Sequence, residues 1–87
     1  MSLVSDRLMA RLERDFPDSK TAREVATMVA EVSDSERVQA ANVIWAQGDV
    51  ARLLDVLVLT KIDWRDALVR AGLENEDWPD RLDAELG

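Results

Sequence analysis

No histidine, cysteine or tyrosine occurs in these 87 residues, and each absence closes a branch of chemistry. Without cysteine no disulfide can staple the fold, and nothing reports an oxidising compartment. Without histidine or cysteine, Ser-His and Cys-His nucleophile arrangements and Cys/His zinc sites are excluded. The Glu-x-x-His ligands of di-iron helical bundles go with them. A general acid or base titrating near neutrality would have to be a shifted carboxylate or a buried lysine. The only lysines, Lys20 and Lys61, read as surface residues at helix ends. Two prolines and three glycines leave few turns, so most of the chain must lie in regular elements. Apolar runs such as Val56 to Leu59 are far too short to span a bilayer. No basic start followed by an apolar stretch opens the chain. The expectation is a soluble, cytoplasmic protein that does not enter a membrane.

What is present suits one globular domain over residues 1–87. Hydrophobic residues make up 47% of the chain and charged residues 33%, a balance that argues against disorder. A chain this short buries only about 60–65% of its unfolded surface, so its core must be efficient. Three tryptophans add large anchors to an otherwise aliphatic set. The formal net charge is −7. Residues 1–47 carry 6 basic and 8 acidic side chains, and residues 48–87 carry 5 and 10, so the acidity is concentrated in the second half. Such a surface repels nucleic acid and anionic membranes.

Helical spacing recurs along the chain. A first helix is expected from about Leu3 to Asp15, with Val4, Ser5, Leu8, Met9, Leu12 and Phe16 on one side. Arg7, Arg11 and Arg14 form the opposite, solvated stripe. Phe16-Pro17 is a stop, because proline disfavours helix at the residue before it, and Asp18 or Ser19 offers the next N-cap. The second helix runs over 20–32, led by Ala22, Val25, Ala26, Met28, Val29 and Val32. Ser33 with Glu36 has capping-box spacing and opens a third helix to Gln47, led by Val38, Ala41, Ile44 and Trp45. Gly48 suits the left-handed position past a helix end, and Asp49 the following N-cap.

The fourth helix, 50–61, has a wide apolar arc of Val50, Leu53, Leu54, Leu57 and Val58. Val56 and Leu59 project about 150° from the centre of that arc. A surface helix does not need apolar residues there, so this helix is expected either to be central or to turn its back to another chain. Asp63 caps a fifth helix carrying Trp64, Ala67, Leu68 and Ala71, which Gly72 closes. Trp78, Leu82 and Leu86 mark a short last helix, with Pro79 tolerated in its first turn. The fold class is all-α, a compact bundle of five or six short helices around a central hydrophobic helix.

Carboxylates are the one catalytic possibility left. Asp63 with Asp66, and Glu31 with Asp34, have the i, i+3 spacing that puts two carboxylates on one helix face, as a Mg²⁺-dependent nucleotide or phosphate-ester hydrolase requires. All-helical nucleotide pyrophosphohydrolases open their signature with a Glu-Glu-x-x-Glu cluster, which is absent. Asp63 is better explained as an N-cap, and Asp66 as the i, i+4 partner of Arg70. The acidic run from Glu74 to Glu85 lacks the EF-hand pattern and reads as a solvated face. Residues 49–72 have the outline of a helix-turn-helix, but Asp63 and Asp66 beside Arg65 and Arg70 do not suit a helix that reads phosphates. Trp45 and Trp64 read as core seals and Trp78 as an interface residue. No catalytic, metal or cofactor residue is assigned.

Gly48-Asp49 followed by Leu53, then Asp63-Trp64-Arg65-Asp66 and Leu68, resembles a stretch of small bacterial all-helical proteins of unknown function. The resemblance covers residues 48–68 and implies a bacterial cytoplasmic protein. It carries over no catalytic or ligand residue. The reading that follows is a non-enzymatic domain working by protein–protein contact as a homodimer, with Val56, Leu59, Ile44 and Trp78 as its interface residues.

Overall fold

Local capping chemistry sets the boundaries of the helices. In the computed structural model, which describes residues 4–86, they are α1 (Asp6–Asp15), α2 (Ser19–Val32), α3 (Glu36–Ala46), α4 (Val50–Ile62), α5 (Trp64–Ala71) and α6 (Trp78–Leu86). No strand occurs among the described residues. Ser5 caps α1 by accepting from the Leu8 amide, so the helix begins at Asp6; the expected start at Leu3 lies outside the described residues. Asp18 caps α2, and Asp49 caps α4 through the amides of Ala51 and Arg52. Asp63 closes α4 with its own N–H on the Leu59 carbonyl and opens α5 with its carboxylate on the Arg65 amide. One residue thus serves two helix ends.

Two expectations about helix ends change. The N-cap of α3 is Ser35, which accepts from the Val38 amide. Ser33 instead accepts from the Ser35 amide. No reciprocal capping box forms, because the Glu36 carboxylate is taken by Arg7 and Ser5. At the other end of α3, both Gln47 (φ 51°) and Gly48 (φ 77°) are left-handed. Gly72 ends α5 in a Schellman arrangement, with the Leu73 N–H on the Leu68 carbonyl and the Gly72 N–H on the Val69 carbonyl. Leu68 and Leu73 are both buried, which gives this terminus its apolar contact.

The six helices form a bundle around one central helix, and that helix is α3, not α4. It packs against all the others, whereas α4 packs against α2, α3 and α5. Its buried set (Val38, Gln39, Ala40, Ala41, Asn42, Val43 and Ala46) runs round the whole circumference. Alanines at three of these positions let neighbours approach closely on every side. A helix buried all round has no apolar stripe, so periodicity gives it no prominence. Its two buried polar side chains are satisfied. Gln39 donates to the Ser33 carbonyl at 2.7 Å and Asn42 to the Val38 carbonyl at 2.8 Å. Thr60 Oγ1 of α4 lies 2.9 Å from Asn42 Oδ1 and 2.7 Å from the Val56 carbonyl. No buried side-chain nitrogen or oxygen among the described residues lacks a partner.

The arginine stripe of α1 is not simply solvated. Arg7 holds Glu36 through two nitrogens, at 2.9 and 2.6 Å, and also donates to Asp83. Arg11 pairs with Asp15 at 2.8 Å and donates to the Glu85 carbonyl at 2.9 Å. The two arginines therefore tie α6 and the start of α3 to α1, and only Arg14 is left exposed. No helix of the described residues is long and apolar enough to cross a membrane.

Candidate functional site

The outer side of α4 carries the feature that the fold leaves unexplained. Leu53, Val56, Leu57 and Thr60 face inward, an arc rotated by roughly 80° from the one the apolar pattern suggests, at 100° per residue. The rotation leaves Val50, Leu54, Val58 and Ile62 exposed. These four sit at i, i+4, i+8 and i+12, so they form one ridge along the whole helix. Leu54 is 49% exposed, Val58 58% and Ile62 79%. Because Asp63 alone joins α4 to α5, Trp64 follows the end of the ridge directly, and it too is exposed. Trp64 is thus not a core seal; Arg65 lies over its ring at 5.2 Å.

The four expected interface residues fall elsewhere. Val56, at 1% exposed, belongs to the core and cannot meet another chain in the folded domain. Ile44 and Trp78 are half-buried and packed against the core, and Leu59 is half-buried. The Trp78 ring is covered by the Arg37 guanidinium at 4.8 Å, while Arg37 also donates to the Leu73 carbonyl. The apolar excess on α4 is real, but it lies on Leu54, Val58 and Ile62. Their i, i+4 row was the available signal.

Beside the ridge runs a furrow between α2 and α4. One part, about 200 Å³, lies among Met28, Val32, Leu54, Leu57 and Val58. A second, about 620 Å³, continues past Val32 towards Ser35, Thr60 and Trp64. Glu31 and Lys61 line both parts. They stand on opposite walls, and neither has an ion-pair partner among the described residues. The site is therefore an apolar ridge with an adjoining groove, lined by Glu31 and Lys61 along both parts and by Arg37 in the larger one.

The candidate carboxylates do not gather. Asp63 is spent on the α5 cap, and no three acidic side chains among the described residues approach closely enough to hold a metal ion. Arg70 turns to the Trp45 ring, 5.4 Å away, in place of an ion pair with Asp66. Arg52 covers the same ring at 4.1 Å. What the ridge offers chemically is surface. Fully burying one Val, Leu or Ile side chain contributes about 1.5–3 kcal/mol. Comparison of the chain with protein-family models, with curated proteins and with solved structures finds no match.

Proposed function

We propose that this is a non-enzymatic helical domain that works by protein–protein contact, and that it associates with a second copy of itself. The observation carrying the reading is the ridge Val50, Leu54, Val58 and Ile62 with Trp64 at its end. Apolar side chains exposed singly are ordinary, but a contiguous row along a helix marks an interaction surface. Large aromatic and aliphatic groups are what interfaces draw their energy from. The same proposal takes the domain to be a bacterial cytoplasmic protein, which rests on the resemblance of residues 48–68.

Sedimentation of the wild-type chain beside a Leu54→Asp/Val58→Asp variant tests the proposal. Both positions are exposed, so the circular-dichroism spectrum of the variant stays helical. The wild type is expected to run as a dimer and the variant as a monomer. Identical monomers from both chains would remove the reading.

A further inference from the structure

We propose that α6 is a detachable strap, which lifts off α1 and α3 as a unit while the other five helices stay folded. Its opening uncovers Arg7, Arg11 and the seat of Leu82. α6 does not pack against α4, so the strap stands apart from the self-association proposed above.

The packing of α6 is thin. It meets only α1 and α3, and it is joined to α5 through Glu74, Asn75, Glu76 and Asp77, all exposed. Leu82 is its one fully buried side chain among the described residues, with Trp78 and Leu86 half-buried. α1 also packs against α2 and α3, so each helix that α6 touches stays held when α6 leaves. Segments tied to a fold by few apolar contacts open separately from the rest.

Charge makes the open state accessible. Three arginines hold α6, and each has a second partner in the body of the bundle. Arg7 donates to Asp83 but also holds Glu36 through two nitrogens. Arg11 reaches Glu85 at 3.2 Å but also Asp15 at 2.8 Å. Arg37 covers the Trp78 ring but also donates to the Leu73 carbonyl. Departure of α6 therefore strands no buried charge, which is what makes breaking an ion pair costly. Asp83 and Glu85 are exposed, so their pairs with the arginines hold only weakly. Residues 74–87 carry six acidic side chains and one basic, against twelve and ten in residues 1–73. Two acidic bodies thus face each other except where the arginines stand, and their repulsion favours release.

Amide hydrogen exchange of the whole chain, read residue by residue by NMR at several low urea concentrations, tests the strap. The amides from Leu82 to Leu86 are expected to share one opening equilibrium that grows with urea, because the opening exposes surface. Their protection should be at least about a hundred-fold below that of the amides from Ala40 to Val43 in α3. Thr60→Val weakens the body in both the closed and the open state, since Thr60 bonds Asn42 far from α6. It should lower protection in α3 by roughly ten-fold or more and leave that in α6 unchanged. Equal protection in α6 and α3 would mean that α6 leaves only with global unfolding. A graded loss from Leu86 inwards, without urea dependence, would mean fraying of the chain end. Either result overturns the strap, and so does a Thr60→Val chain in which α6 loses as much protection as α3.

Discussion

At the scale of single residues, two polar contacts do more than their neighbours to fix the packing. Thr60 and Asn42 join α4 to α3 inside the core. Thr60→Val keeps the shape but leaves the Asn42 carbonyl oxygen buried without a donor, which costs about 1–3 kcal/mol. Urea unfolding should show that loss. In the double variant Asn42→Leu/Thr60→Val the loss should fall short of the sum of the singles, because the two groups act as one pair. The second contact is Glu36. The hydrogen bonds from Arg7 hold its carboxyl down to about 2 from an ordinary 4.5, against the effect of burial and with help from Ser5. A folded value below the unfolded one means that the stabilisation is complete above the ordinary value and is lost as pH falls towards the lowered one. Both side chains are about one third exposed, so screening by solvent limits the effect to about 1 kcal/mol. Wild type should exceed Glu36→Gln in stability at pH 6, and the gap should close between pH 4.5 and pH 2.

At the scale of helices, what is local in the chain is legible and what depends on a distant neighbour is not. Asp18, Asp49, Asp63 and Gly72 mark helix ends through atoms two to five residues away, so six helices and most of their bounds follow from the residues alone. The rotation of α4 does not. Val50, Leu53, Leu54, Val56, Leu57, Val58 and Leu59 cover so much of its circumference that several faces could be the buried one. The positions of α3 and α5 choose Val56 over Leu54. Likewise Arg7 and Arg11 look solvated until Glu36, Asp83 and Glu85 arrive from 29 to 76 residues away. The joint between α3 and α4 shows the same division. Gly48 was expected for its left-handed backbone, and it has that at φ 77°. It also lies against the end of α1, where an added Cβ would stand 2.8 Å from the Asp15 carbonyl oxygen. Gly48→Ala therefore meets backbone strain and a collision together, and should lower unfolding stability by about 2–3 kcal/mol. Gly72→Ala, at φ 75° under the same backbone strain but against only the flexible end of Arg81, should lose less; equal losses would show that the approach to α1 is unimportant.

At the scale of the whole molecule, apolar attraction at one face competes with charge spread over all of it. Two chains of net charge −7, each about 33 × 27 × 24 Å, repel one another when they meet through α4. The screening length falls from about 30 Å at 0.01 M salt to about 8 Å at 0.15 M. At the lower ionic strength the field of one copy therefore reaches across the other, and at the higher it ends near the contact. Burial of Leu54, Val58 and Ile62 is not itself weakened by this change, because apolar transfer involves no net charge. Self-association should therefore tighten with salt, by roughly ten-fold over that range, and sedimentation equilibrium at the two ionic strengths measures it. A contact held by ion pairs, or a complex with a basic partner, would loosen instead. The sign of the salt dependence thus separates an interface made by the α4 ridge from one made by the acidic surface around it.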